Sequence, residues 1–263
     1  MDVDPVAREN GVFRACWANT GRLNFGGAST VENSAVHGEI LCIVEEPSTT
    51  TPPAPTGTVP VVSRFIVGSQ QAGMRKVILQ EFLSLDGLAA GREDRVDFVP
   101  ASTKDDRVFG REQLELMDAV DTIVLGRVTY QMFAGYWPHV TQGDESLFAE
   151  RVNATPKIVF SRTLDRAPWG TWDDAIVNRS DASAEVQKLK QQSGKDIVVW
   201  GSLSVAQSLI DEALVDEYRL IYCPVALGNG RRLFRNGTHP LELTLSRTTP
   251  LERGAVLLHY APR

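Results

Sequence analysis

The chain has 263 residues, 43% of them hydrophobic and 23% charged, and a net charge of −6. The length suits one large domain or two small ones, and the composition is that of an ordinary globular protein. The negative balance excludes a whole-protein nucleic-acid footprint, and no run approaches the roughly 18 apolar residues that a membrane span needs.

The chain opens on MDVDPVAREN, acidic and polar, without the basic start and apolar core of a secretion signal. Residues 1–46 hold the turn-like GRLNFGGAST and one candidate short strand, EILCIVEE at Glu39–Glu46. So short a piece rarely holds a core without staples, so it is expected to be a poorly ordered extension with no function assigned. A second reading stays open, because Met74 begins a segment that looks like a natural N-terminus; residues 1–73 would then lie upstream of the true start. Residues 47–73 begin with PSTTTPPAPTGTVP, a Pro/Thr-rich linker that is extended where proline is dense.

Residues 74–263 alternate strands and helices. KVILQEF at Lys76–Phe82 is apolar enough for a buried strand, and REQLELMDAV at Arg111–Val120 has Leu114, Met117 and Val120 at helical spacing. DTIVLG at Asp121–Gly126 and KIVFS at Lys157–Ser161 are strands. ASAEVQKLKQQ at Ala182–Gln192 is an amphipathic helix capped by Ser180 or Asp181. DIVVWG at Asp196–Gly201 is a strand, SVAQSLIDEAL at Ser204–Leu214 a helix, and DEYRLIYCPV at Asp216–Val225 a strand. LELTLSRTT and GAVLLHYAP close the chain as an antiparallel pair. Continuous apolar runs in DTIVLG and DIVVWG fit strands covered on both faces. The pattern predicts a three-layer α/β/α domain around a mostly parallel, mixed sheet with antiparallel C-terminal strands.

Ligands bind beyond the carboxyl ends of such strands, and three ends carry suitable chemistry. Gly126-Arg127 follows TIVL with Thr129 two residues on; Ser161-Arg162-Thr163 follows KIVF; Gly201-Ser202-Leu203-Ser204 follows DIVVW and opens a helix. Helix N-termini favour anions, glycine admits close approach, and arginine offers a planar fork of donors to phosphate. Two arginines beside hydroxyls on neighbouring ends suit one phosphate, such as the 2′-phosphate of an adenosine ribose, which points to NADPH. A solvated surface arginine is the plainer reading of each end alone. Gly228-Asn229-Gly230 has no helix after it and reads as a turn.

These residues also carry a resemblance. FLSLDGLAAG, VLGRVTYQMF, KIVFSRTL, VVWGSLSVAQSLIDEALVDEY and PVALGNGRRLF, in that order, resemble the dihydrofolate reductase-like family, in the branch of the riboflavin-biosynthesis reductase domain. The resemblance covers about Met74 to Arg263 and implies the dihydrofolate reductase-like fold. It implies that Gly126, Arg127, Thr129, Ser161 and Arg162 hold the 2′-phosphate of NADPH. It places Gly201, Ser202, Leu203 and Ser204 along the pyrophosphate and nicotinamide. It implies hydride transfer to a carbon–nitrogen or carbon–oxygen double bond of a small heterocyclic or pyrimidine-ribosyl substrate. The alternative is a catalytically inactive nucleotide-binding protein of the same fold.

Asp86, in SLDG, is the first candidate to touch substrate, against the plainer reading of a turn aspartate. Dihydrofolate reductases carry a carboxylate early in the helix before the Gly-Arg strand, which implies Glu112 here, against a solvated helix-face glutamate. Trp200 stands where riboflavin-pathway reductases usually have a substrate-contacting glutamate; it either walls the pocket or packs in the core. The H-x-E and P-C-x-x-C signatures of a zinc deaminase are absent. Tyr136, Trp137, Trp169 and Trp172, in expected loops, either stack on a flat ligand or cover the core. Ala89–Asp106 reads as a long charged loop, and the resemblance implies that it borders the substrate. Arg231 and Arg232 border the cofactor or a subunit contact. Cys16, Cys42 and Cys223 are spaced as free thiols, and the four histidines lack ligand spacing. The expectation is a cytoplasmic, metal-free homodimer that binds a small molecule and neither nucleic acid nor membrane.

Overall fold

The computed structural model describes residues 74–235 and 240–263, and ahead of them the backbone of six two-residue strands. The chain divides into two units, Met1–Gln71 and Ala72–Arg263. In the first, Arg8–Glu9 pairs with Val12–Phe13, Asn24–Phe25 with Ser29–Thr30, and Ala35–Val36 with Glu39–Ile40, each antiparallel. Of the expected strand at Glu39–Glu46, Glu39–Ile40 is a strand and the rest lies outside the described residues, as do Cys16 and Cys42 and the expected linker.

Among the described residues the second unit is built on a nine-stranded sheet, with a further pair of short strands beside it. In chain order its elements are β1 (Val77–Ser84), β2 (Leu88–Ala90), α1 (Phe98–Thr103), α2 (Arg107–Ala119), β3 (Val120–Gly126) and α3 (Arg127–Ala134). Then come α4 (Ser146–Ala154), β4 (Lys157–Phe160), β5 (Ala167–Trp169), β6 (Trp172–Asn178), α5 (Ala182–Lys190) and β7 (Asp196–Trp200). The chain closes with α6 (Leu203–Asp211), β8 (Glu217–Cys223), β9 (Arg231–Arg232), β10 (Leu243–Pro250) and β11 (Val256–Pro262). The sheet order is β5-β6-β4-β3-β7-β1-β8-β11-β10. From β6 to β8 every neighbouring pair is parallel, and β11 and β10 complete the sheet antiparallel. The separate pair β2–β9 is also antiparallel.

Alternation along the central strands explains the layers. Val77, Leu79 and Leu83 of β1 face Val186 and Leu189 of α5 and Val205 and Leu209 of α6. Ile78 of β1 and Ile123 and Leu125 of β3 face Leu116 and Met117 of α2 and Phe148 and Val152 of α4. Each fully buried aliphatic side chain stabilises the fold by about 1.5–3 kcal/mol, so the two faces hold the three layers together. Among the described residues no helix is long and apolar enough to cross a membrane.

Several elements differ from the sequence expectation. The segment Ala89–Asp106 is not a plain loop: it contains α1, because Phe98 buries against Ile221 and Leu257 and pulls the segment onto the sheet. PWGTW is a hairpin, β5–β6, turning at Gly170 with φ +62. Helix α2 starts a turn earlier than Arg111, where Asp106 caps it by accepting from the Phe109 amide at 2.9 Å. Of the two caps offered for α5, Asp181 is the one, accepting from the Ala184 amide at 3.0 Å.

Candidate active site

A cleft of about 2470 Å³ opens over the carboxyl ends of β4, β3, β7 and β1. It exceeds the roughly 300–1,000 Å³ of a usual small-molecule site and has room for an extended dinucleotide beside a second molecule. All three strand ends singled out in the sequence line it.

At the first end, Gly126 closes β3 and Arg127 opens α3. Arg127 is exposed, and among the described residues its guanidinium donates only to Gln131 Oε1, at 3.1 Å. At the second, the β3–β4 register sets Phe160 opposite Gly126, so Arg162 emerges one strand from Arg127. Arg162 is exposed and forms no ion pair among the described residues. Ser161 Oγ accepts from the amides of Thr163 and Leu164 at 3.2 and 3.1 Å, which folds the turn that presents Arg162. A third arginine, Arg179, lies beyond β6; Asp165 fixes it at 2.7 Å, and the sequence offered no sign of it.

At the third end, Gly201 and Ser202 are both left-handed, with φ +51 and +61. A serine there is held against its preference by three bonds. Its amide donates to Thr129 Oγ1 at 3.1 Å; its Oγ accepts from the Gly126 amide at 2.7 Å and donates to the Trp200 carbonyl at 3.0 Å. The sharp turn leaves Leu203 and Ser204 as the first residues of α6, with the amides of a helix head beside the cleft.

Trp200 is 5% exposed and stacks edge-on against Phe133 and Phe148 at 5.6 and 5.7 Å. It belongs to the core and presents its remaining edge to the cleft. Tyr136 and Trp137 also line the cleft. Trp169 does not: it is fully buried, with its indole donating to Asn153 Oδ1 at 2.7 Å. Arg231 reaches the cleft and pairs with Asp94 at 3.2 Å.

Neither carboxylate expected from the sequence lies in the cleft lining. Asp86 ties a turn to a distant loop. It accepts from Ser84 Oγ at 2.6 Å and from the amides of Leu227 and Gly228 at 3.0 and 2.7 Å. These bonds, the Ser84 hydroxyl first, hold its carboxyl down at about 2. Glu112 is buried on the other face of α2, among basic groups. It pairs with Arg247, with Arg219 at 3.7 Å and with His259 at 3.9 Å. The helix turns Gln113 and Leu114 to the cleft instead.

Several carboxylates line the cleft, among them Asp94, Asp106, Glu145 and Asp181; the one with a buried, unpartnered oxygen among the described residues is Glu81, in β1. It is 6% exposed; Oε1 accepts from the Phe82 amide at 3.1 Å, and Oε2 is buried without a partner among the described residues. Burial pushes its carboxyl up to about 8, against a smaller opposite pull from that amide. Sequence reasoning passed over it inside KVILQEF. The available signal was the Gln80-Glu81 pair, two polar residues in a strand otherwise apolar enough to be buried. Gln80 is satisfied by Gln113 Oε1 at 2.7 Å and by Arg219 at 3.2 Å; Glu81 is not.

Comparison with known proteins agrees with this architecture. The family model of the RibD C-terminal domain matches residues 75–257. The Bacillus subtilis (strain 168) protein YyaP is 32% identical over 187 residues, 71% of this chain and 94% of that one. A putative riboflavin biosynthesis protein from Shewanella sp. PV-4 superposes with TM-score 0.56 at 22% identity, covering 72% of this chain and 99% of that one. The diaminohydroxyphosphoribosylaminopyrimidine deaminase/5-amino-6-(5-phosphoribosylamino)uracil reductase of Thermotoga maritima superposes with TM-score 0.51 at 15% identity, covering 72% of this chain and 57% of that one. With its dihydrofolate reductase-like layers and a matching model over most of its length, the chain belongs to the RibD C-terminal domain family.

Proposed function

We propose that this chain is an NADPH-dependent reductase of a small heterocyclic or pyrimidine-ribosyl substrate. The observation that carries the reading is the pair Arg127 and Arg162. They stand on adjacent parallel strands, both exposed to one cleft and neither neutralised by a carboxylate among the described residues. Two unpaired guanidiniums with Thr129 and Ser161 between them are a donor set for a phosphate dianion. The amides of Leu203 and Ser204 extend that set toward β1, along the line an extended dinucleotide would take. When bound, NADPH supplies the hydride; the chain's residues bind it, orient it and limit water. The substrate class follows the uracil reductase activity for which the structurally similar Thermotoga maritima protein is named, and the room left in the cleft.

Titration with NADPH and with NADH, read by cofactor and tryptophan fluorescence, tests the reading. NADPH-selective binding, followed by substrate-dependent NADPH oxidation, is the expected result. Selective binding without oxidation of any pyrimidine-ribosyl or folate substrate would favour a nucleotide-binding protein that has lost catalysis. Binding of neither cofactor would overturn the proposal.

A further inference from the structure

We propose that Glu81 is the proton donor of this site, delivering a proton from Oε2 to the substrate heteroatom as hydride reaches the adjacent carbon. The inference rests on the reductase reading above and names the one acidic group that reading lacks. The sheet order places the relevant residues in a row: Arg162 after β4, Arg127 after β3, Gly201 after β7, and Glu81 on β1. Three strand spacings of about 4.8 Å separate the ends of that row by roughly 14 Å, the scale of an extended dinucleotide. With its phosphate on the arginines, a dinucleotide extended along this row would bring its reactive ring to the Glu81 end.

The surroundings of Glu81 keep it a neutral acid. The face of β1 that it shares with Leu79 and Leu83 meets Leu220 and Tyr222 of β8, and Thr129, Ser202 and Leu203 flank the adjoining end of β7. None of these is charged at neutral pH. Arg219 of β8 lies on the opposite face, bonded to Gln80. A methyl group on Gly201 would come within 4.0 Å of Glu81 Oε1, so the carboxyl sits beside the glycine turn of the cofactor row. An ordinary buried polar residue of a strand has partners, as Gln80 does; among the described residues Oε2 of Glu81 has none, and the residue borders the cleft. An unpartnered ionised carboxylate there would be costly, so the proton stays on until pH approaches about 8. General acids work best with a pKa near the working pH.

The step balances. The substrate's carbon–nitrogen or carbon–oxygen double bond takes up hydride at carbon, from the dihydronicotinamide that is thereby oxidised, and a proton at nitrogen or oxygen from Glu81. The Glu81 carboxylate that results recovers a proton from water entering the open cleft. Phe82, Val96, Val99 and Phe109 line the same cleft and suit a flat ring.

The test uses the full chain and Glu81→Gln, an isosteric change that imitates the neutral acid. An infrared pH titration without cofactor should show a protonated carboxylic acid persisting above pH 7, lost near pH 8 and missing from Glu81→Gln. With 5-amino-6-(5-phosphoribosylamino)uracil as probe substrate, Glu81→Gln should lower kcat by about 100-fold or more while NADPH Kd stays within about threefold. Wild-type kcat should fall as pH rises past about 8. Unchanged kcat in Glu81→Gln, loss of NADPH binding in that variant, or no protonated acid above pH 7 would each overturn this inference and leave the reductase reading standing. A wild-type chain that binds no NADPH, or does not reduce the probe, would overturn both.

Discussion

Ser202 and Gly126 are bonded across two strand ends: the Gly126 amide donates to Ser202 Oγ at 2.7 Å, while the Ser202 amide donates to Thr129 Oγ1 at 3.1 Å. The heads of α3 and α6 are thereby fixed to each other, and with them Arg127 and the amides of Leu203 and Ser204. Ser202→Ala removes the acceptor of a buried amide and leaves an alanine in the left-handed region. It should cost about 1–3 kcal/mol in urea denaturation and weaken NADPH more than its own small volume suggests.

Arg127→Ala should raise the Kd for NADPH by about 10- to 100-fold, the loss of one or two charge-assisted hydrogen bonds. The Kd for NADH, which has no 2′-phosphate, should stay within about twofold. Equal losses for the two cofactors in a fluorescence titration would sink the assignment of Arg127.

Glu112→Gln should leave NADPH affinity unchanged and lower stability by roughly 3 kcal/mol, because it strands the buried Arg219 beside His259. A kinetic effect without a stability effect would return Glu112 to the site.

Asp86→Asn should lower the melting temperature and slacken the loop at Leu227 and Gly228, with NADPH affinity within about twofold. The carboxyl is held below its ordinary 3.8, so its contribution is present above that value and lost as pH falls through about 2. The acid-unfolding midpoint of the variant should accordingly lie higher than that of the wild type.

Glu81 has the opposite sign. Its folded value of about 8 lies above the ordinary 4.5, so the unfolded chain releases this proton first. The native state therefore loses stability as pH rises from about 4.5 to about 8, on the order of 1.4 kcal/mol per unit at the steepest. Glu81→Gln should remove that slope, and denaturation curves at pH 5 and pH 8 measure the difference.

The sheet was legible because its strands bury both faces, and DTIVLG and DIVVW carry that in uninterrupted apolar letters. The cleft's basic side was legible too, since Arg127 and Arg162 follow such runs directly. The acidic side was not. Asp86 stands in a motif that invites a functional reading, yet its oxygens serve two backbone amides 141 and 142 residues away. Glu112 depends on which face of α2 meets the cleft, and one residue of rotation decides it. Glu81 looks like part of a strand, because a sequence shows that a carboxylate will be buried without showing whether anything will pair with it. Likewise, α1 forms because Phe98 finds a place on β8 and β11, a long-range fact no local pattern contains.

The position of β1 bears on synthesis. This strand is the first of the sheet to leave the ribosome, yet it lies between two late ones. Its contacts at Lys76 and Val77 reach Asp196 and Asp216, separations of 120 and 139 residues. At about 5–20 residues per second the nascent strand waits roughly 7–28 s before both neighbours exist. During that interval VILQEFLS is an unpaired apolar segment, and Glu81 and Gln80 are the polar groups that interrupt it. A carboxylate still hydrated and charged at that stage opposes pairing with other chains, and loses its charge only when the sheet closes around it.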